Sequence, residues 1–417
     1  MTRILFLLTC IFCAAISWAD GENAKNGNDV NLALGKKYTL SPAPNYKLCT
    51  DAEDKIQLTD GKVTASYFWT QTGTVGWVHT KFPTITVDLE KVEPIGRVEF
   101  TTAAGKAGVT PPLAVFVQVS DDGKEYREVC DIMAEDATLN GLFPETYVIR
   151  ALQTKPLNVR GRYIRFVCVP GTFCFCDEIR IFRGNESCLD RVPSGEIVVS
   201  PEATVNRFRV GLLMGKRIRT DISMITEAVE KAEIGAETKT VLKERLAELG
   251  KLPIPEIDQE TFTTVFPMSN VHREIYGIQS ALWRALECEK VTVKAATLWD
   301  PVDRFAIPKM VPNGELNVHL MQNETRAVAF NVYNASEKKQ SVSFKLPNFA
   351  GMTEVEVYYA PWTDSSNAWS SASALVPLEV KNGVFSVPAQ SGLVTQVWLR
   401  VKACKNGEME GDSAKDS

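Results

Sequence analysis

Histidine is scarce in this sequence: His79, His272 and His319 are the only three among 417 residues, so a three-histidine metal centre would require all of them. No G-x-S-x-G, H-E-x-x-H, complete phosphate loop or dinucleotide fingerprint occurs, which removes the usual signatures of hydrolase, zinc-protease and nucleotide chemistry. GLLMGK at 211–216 is one residue short of phosphate-loop spacing and has no following Ser or Thr, so it reads as helix or turn. Basic excess is missing as well. With 46 Lys and Arg against 51 Asp and Glu, the net charge is −5 and no long basic run appears, which excludes nucleic acid as a partner. There is no C-x-x-C, and the Cys174-Phe175-Cys176 pair is too tight for zinc spacing. After the first nineteen residues no apolar run is long enough to span a bilayer.

What is present is the material of a folded, multidomain chain. Apolar residues make up 45%, with 19 Phe, 10 Tyr and 8 Trp, enough to bury real cores. Residues 1–19, MTRILFLLTCIFCAAISWA, pair Arg3 with the apolar run Ile4 to Ile16 and end in a small-x-small site. This is the pattern of a secretory signal peptide and is too short for a membrane anchor. The expected location is secreted, periplasmic or at the cell surface. Eight cysteines remain after Cys10 and Cys13, an even count that in an oxidising compartment implies disulfides, although eight allow 105 pairings.

Period-two alternation organises residues 31–184: Ile85, Val87 and Leu89, then Val115, Val117 and Val119, then Ile164, Phe166 and Cys168, then Ile179 and Ile181. No helical period is visible there, so this segment is expected to be an antiparallel sandwich. Over 200–298 the period changes. Ile222, Ile225, Val229 and Ala232 form one helical stripe, Leu242, Leu246 and Leu249 a second, and Val271, Ile275, Ile278 and Leu282 a third. Gly235 and Gly250 are placed as helix stops and Asn270 as a start, giving a small helical connector. His272 is expected to be a surface or capping residue. Alternation returns in LNVHL, RAVAFNVYN, SVSFKL, TEVEVYY, VFSVPA and TQVWLRV, so a second β-sandwich is expected over 310–402. The tail from Cys404 onward is nearly free of apolar residues and is expected to be disordered.

Glycosidase chemistry needs two carboxylates facing one sugar. Asp177 and Glu178 are adjacent and would point to opposite faces of a strand, while Asp300 and Asp303 flank Pro301 in what reads as a turn. Neither pair is a convincing catalytic dyad, so no catalytic residue is assigned. The segment 57–77, QLTDGKVTASYFWTQTGTVGW, instead packs aromatics among polar residues in a loop. Trp69 and Trp77, with Tyr67, His79 and Phe173, are the ligand-binding candidates, because a sugar's C–H face stacks on rings while its hydroxyls take hydrogen bonds. The competing reading is that these rings plug the sandwich.

At this stretch the sequence resembles the discoidin family, also called coagulation factor V/VIII type C, and within it the galactose-binding-like modules of secreted bacterial proteins. NLALGKKYTLSP, LTDG-x-x-T followed by FW, ITVDLEKVEPIGRVEF, FVQVSDDGKEYREV, RYIRFVC and DEIRIFRG occur in family order. The resemblance implies a jelly-roll sandwich whose ligand contacts come from loops at one end, and a structural calcium held by Asp60, Thr64 and Glu178 with hard oxygen donors. It also implies that Cys49 and Cys176 can meet in a disulfide. Cys174 competes for that pairing, and the alternative is that the thiols are free and buried. NETRAVAFNVYNAS, more weakly, resembles the accessory β-sandwich of some bacterial glycoside hydrolases, but no catalytic barrel of about 250 residues fits after Arg400. The reading is therefore a mainly β, secreted, non-catalytic protein that binds a glycan. The rivals are an accessory or degenerate glycoside hydrolase with residual catalysis, and a surface adhesion protein that binds protein.

Overall fold

The computed structural model describes residues 30–191, 195–254, 262–308, 315–348, 353–365 and 370–404. The expected leader (1–19) and the tail beyond Cys404 lie outside them. The chain divides into two compact units, Met1–Val205 and Asn206–Ser417. Among the described residues no helix is long and apolar enough to cross a membrane.

The first unit is the expected sandwich. Its strands are β1 (Tyr38–Ser41), β2 (Val75–Val78), β3 (Thr84–Ala104), β4 (Ala114–Ser120), β5 (Tyr126–Asp131), β6 (Val148–Gln153), β7 (Val159–Val169), β8 (Phe173–Cys176), β9 (Ile179–Arg183) and β10 (Glu196–Val198). One sheet runs β1-β3-β7-β4-β5-β10, with β6 and β9 also pairing β3, and β2-β8 forms a separate ribbon. Every pairing is antiparallel. The 21-residue β3 serves two sets of partners: its first half pairs β1 and β7, and its second half pairs β6 and β9. Register shifts between Asp88 and Glu93 and between Ile95 and Arg97 mark the change. The second shift resets parity, so Ile85, Val87 and Leu89 and then Ile95, Val98 and Phe100 all face the core although the spacing is not uniformly even.

One element of this unit has no counterpart in the sequence reading. α1 (Ile132–Asn140) buries only Ile132 and Asp136, so it carries no apolar stripe to detect. Its ends were nonetheless written locally. The Asp131 carboxylate accepts the Met133 N–H at the start, and Gly141, at φ 78°, stops the helix.

In the second unit α2 (Pro201–Lys231), α3 (Ala236–Lys251) and α4 (Asn270–Ala285) carry the three stripes, only Ala232 falling one residue past the end of α2, and the unit begins at Asn206, inside α2. GLLMGK lies within α2. The remaining strands are β11 (Val291–Ala296), β12 (Thr325–Asn334), β13 (Gln340–Lys345), β14 (Thr353–Ala360), β15 (Thr363–Asp364), β16 (Ser370–Ser371), β17 (Val376–Leu378), β18 (Val384–Ala389) and β19 (Val394–Ala403). They form a β11-β12-β19-β14-β17 sheet and the pairs β13-β18 and β15-β16.

Three expectations change here. Residues 291–296 are a strand of the carboxy-terminal sheet rather than connector, and LNVHL is not a strand. Nor do the helices form a domain of their own: Ile225, Leu246, Ile275 and Trp283 share one core with Tyr333, Trp362, Leu393 and Val394 of the β-region.

His272 is fully buried, not at the surface. Its backbone N–H is capped by Ser269 Oγ, while Nδ1 accepts the Met268 N–H at 3.3 Å and Nε2 donates to Asp221 Oδ2 at 2.9 Å. Asp221 Oδ2 also accepts the Tyr276 hydroxyl at 2.6 Å, and Oδ1 takes Arg304 at 2.6 Å and Arg217 at 3.4 Å. Arg217 reaches Asp364 as well, at 3.1 Å. Both imidazole nitrogens are therefore committed to structural partners, and the cluster pins α2 and α4 to the loop carrying Arg304 and to β15, which carries Asp364.

Candidate functional site

The ribbon of β2 and β8 decides which of its side chains turn into the main core of the first unit and which turn away from it. Its register pairs Val75 with Cys176, Gly76 with Phe175, Trp77 with Cys174 and Val78 with Phe173. Successive side chains in a strand point to opposite faces, so Val75, Trp77, Cys174 and Cys176 enter the main core. Phe175, on the other face, joins Cys49, Phe68, Trp69, Ala103 and Val109 in a second, smaller cluster. Gly76 sits where no side chain fits: a Cβ there would lie 2.7 Å from the Phe175 ring and 2.8 Å from Cys49 Sγ.

This division corrects two expectations. Trp77 is 0% exposed and its indole N–H donates to the Pro42 carbonyl at 2.9 Å; Trp69 is 2% exposed. Neither indole offers a face to a sugar, so both are interior residues. The Cys49–Cys176 disulfide is absent too, since all eight cysteines from Cys49 to Cys404 are free. Cys174 and Cys176 do share a strand face, but it is the face turned away from Cys49. Burial pushes the Cys49 thiol up to about 12, the behaviour of an inert core thiol. The partner Cys174 does find is Cys168, whose thiol contacts it inside the core.

What remains accessible is a rim. Tyr46, Tyr67, Tyr147 and Phe173 are half-buried around the second cluster. The rings form a continuous row: Phe173 stacks on Phe175 at 6.0 Å, Tyr46 meets both edge-on at 5.8 and 5.0 Å, and Trp69 lies 5.8 Å from Phe175. Trp69 in turn supports Tyr67 at 4.9 Å and Tyr147 at 5.5 Å. The two interior rings are thus the foundation on which the four outer ones stand. Polar groups border the row. Lys106 Nζ sits 5.2 Å over the Tyr67 ring, Asn45 is tied to Val78 by paired bonds at 3.1 and 2.8 Å, and His79 is exposed with its N–H on the Thr172 carbonyl. Tyr147 holds the loop of Tyr67 in place by donating to the Ser66 carbonyl and accepting the Phe68 N–H. Of the five residues expected to face ligand, Tyr67, His79 and Phe173 are accessible; Tyr46, Tyr147, Asn45 and Lys106 were missed. Tyr46 had a local signal, a ring among polar residues in APNYKLC, whereas Tyr147 is recruited only by tertiary contact.

Two of the residues expected to hold a metal, Asp60 and Thr64, line an acidic cleft of about 390 Å³ together with Asp51, Glu53, Gly73 and Asp177, among others; the third, Glu178, is not part of its lining. Asp60 is exposed, accepts the Lys62 N–H at 2.8 Å and pairs with Lys62 Nζ at 3.2 Å. Asp177 fixes Thr64, accepting its N–H at 2.5 Å and its hydroxyl at 3.1 Å. Glu178 is 0% exposed, and neither carboxylate oxygen has a well-formed hydrogen bond, the Gly61 amide approaching it without ordinary hydrogen-bond geometry. Burial is the main force raising Glu178 to about 8; the charges of Asp60 and Asp177 add to it, while the Gly61 amide and Arg180 oppose it. A buried carboxyl this poorly partnered is costly to ionise unless something else binds it. Among the described residues no three His, Cys, Asp or Glu side chains converge as metal ligands, so a cation here would draw on Asp60, Glu178, Thr64 and main-chain oxygens. That donor set suits a hard ion.

Residues 47–179 match the F5/8 type C domain. The discoidin resemblance of the first unit is thereby shown, and the mainly β fold with it. Solved structures that resemble the chain include CpGH89CBM32-6 of Clostridium perfringens, 19% identical, covering 37% of this chain and 100% of that one, with a TM-score of 0.24. A Streptococcus pneumoniae fucose binding module is 18% identical over 37% and 96% of the two chains, with a TM-score of 0.26. The lectin domain of lectinolysin, complexed with Lewis B antigen, is 22% identical over 38% and 99%, also at 0.26. No curated protein sequence matches the chain.

Proposed function

We propose that the first unit is the glycan-binding module of a secreted protein and that it holds its ligand without turning it over. The observation that carries this reading is the row of half-buried rings, Tyr46, Phe173, Tyr67 and Tyr147, bordered by Asn45, His79 and Lys106. Rings with one face open supply stacking against a sugar's C–H groups, and the bordering amide, imidazole and ammonium groups take its hydroxyls. Binding without turnover is supported by the fate of the acidic pairs. Asp177 and Glu178 are interior, and Asp300 and Asp303 are engaged by Thr297 and the Phe305 N–H respectively. Secretion rests on the leader pattern of residues 1–19. A structural calcium ion belongs to the same reading: Asp60, Thr64 and Glu178 would hold it, and it would compensate the buried Glu178 carboxylate.

A glycan array on the mature chain, paired with a hydrolysis assay on whatever binds, tests the reading. Binding that is lost in Tyr46→Ala and Phe173→Ala, with no sugar released, supports it. Release of sugar would favour a degenerate glycoside hydrolase, and silence on every glycan would favour an adhesion protein.

A further inference from the structure

The second unit contains a cleft of about 490 Å³ that the glycan module does not involve, a volume within the roughly 300–1,000 Å³ typical of small-molecule sites. Its lining has three cations, Arg273 in the first turn of α4 and Lys338 and Lys339 in the turn between β12 and β13, all exposed. Among the described residues no carboxylate neutralises any of the three. Arg273 bonds only to the Asn270 amide oxygen, at 2.5 Å. The single lining carboxylate, Glu337, is turned toward Arg284 at 3.9 Å. Three unpaired positive charges around one concavity, in a chain whose net charge is −5, form a local inversion of sign. The cleft lies at the N-terminal, positive end of the 16-residue α4, which adds to the same field.

The rest of the lining narrows the ligand. Thr263, Gln390 and Ser391 offer hydroxyl and amide groups, and Val265 and Pro267 an apolar strip. Cations for an acid group, neutral donors and acceptors for hydroxyls, and an apolar strip for ring C–H groups together make a surface suited to a charged sugar. We propose that this cleft binds a saccharide carrying a sulfate or carboxylate group, with Arg273, Lys338 and Lys339 holding the acid group. The site is independent of the aromatic rim, so either can fail without the other.

Isothermal titration of the full mature chain with a disaccharide that carries one uronate and one sulfate, beside its neutral analogue and inorganic sulfate, tests this. The acidic disaccharide should bind at least about tenfold more tightly than either control, and added salt should weaken it because exposed charges are screened. The double variant Lys338→Ala/Lys339→Ala, and separately Arg273→Ala, should each lower the affinity about tenfold or more. Lys381→Ala should leave it unchanged, which separates this site from a general loss of surface charge. Inorganic sulfate binding as tightly as the disaccharide would overturn the saccharide assignment. No binding of the acidic disaccharide, or binding undiminished in the lysine and arginine variants that still fold, would overturn the site.

Discussion

Asp221 offers the sharpest test of what holds the second unit together. Its carboxylate, 0% exposed, accepts from His272, Tyr276, Arg304 and Arg217. Asp221→Asn keeps the shape but removes the charge, and its amide must turn an N–H toward a group that is itself a donor. Arg304 is then left in the core with its main counter-charge gone; its remaining side-chain hydrogen bond is to Ser370. Removing one member of a buried ion pair costs about 3–5 kcal/mol, because the desolvated partner stays behind. At about 2–4 °C per kcal/mol for a unit of this size, the melting transition should fall by something on the order of 6–20 °C. Differential scanning calorimetry should show that loss in the transition of the second unit, while the first unit's transition stays in place; Asp303→Asn, at an exposed turn, is the control. The pH dependence has a definite sign. Burial alone would raise Asp221, but the His272 hydrogen bond, the Arg304 charge and the Tyr276 hydroxyl outweigh it and hold the carboxyl below its usual range. A depressed folded-state value means the stabilisation is complete above the ordinary carboxylate pKa of about 3.9 and is lost as pH falls through the lower folded value. Acid sensitivity in that window should be reduced in Asp221→Asn. A variant that melts within a degree of wild type would refute the reading that this network fastens the helices to the sheet region.

Trp69→Ala and Trp77→Ala should each destabilise the first unit by about 3–5 kcal/mol in urea titration, as interior aromatics do, whereas Tyr46→Ala should cost less than half as much. Gly76→Ala should lose about 1–3 kcal/mol, since its Cβ would press on the Phe175 ring and Cys49 Sγ. Glu178, raised to about 8, should make metal-free protein lose stability as pH climbs from the ordinary glutamate value toward 8, because the unfolded chain ionises first. Both Glu178→Gln and added calcium should flatten that slope in thermal melts; a slope untouched by calcium would count against the ion.

Strands whose inward residues alternate were legible from the sequence, and the reason is geometric. Ile85, Val87 and Leu89 in β3 and Val115, Val117 and Val119 in β4 announce a buried face locally. The helical stripes were legible on the same ground, with Ile275, Ile278 and Leu282 all interior. His272 could have been read too. It precedes Ile275 by three residues and Tyr276 by four, so it shares their face of α4; its neighbours Val271 and Arg273 gave no such sign. The network it joins could not be foreseen, because Asp221 and Arg304 stand 51 residues before it and 83 residues apart from each other. β11 was hidden by its position just after a helix, although Val291 and Val293 alternate in VTVKAA.

The candidate site was legible in kind but not in detail, and parity explains the difference. Aromatic residues among Gly, Thr and Gln marked the right loop, yet whether a ring there faces ligand or core depends on which strand face it occupies. That depends on the pairing of β2 with β8, two segments that are remote in sequence. Once Trp77 is paired with Cys174 and faces the main core, Phe173 and Phe175 must face the other way, toward Cys49 and Trp69. The same pairing that leaves Trp77 in the core parts Cys49 from Cys176 and brings Phe173 to the rim. One register thus accounts for the missing disulfide and the half-buried ring together, and a single-residue slip of β8 would turn both over while leaving Trp77, on β2, in the core.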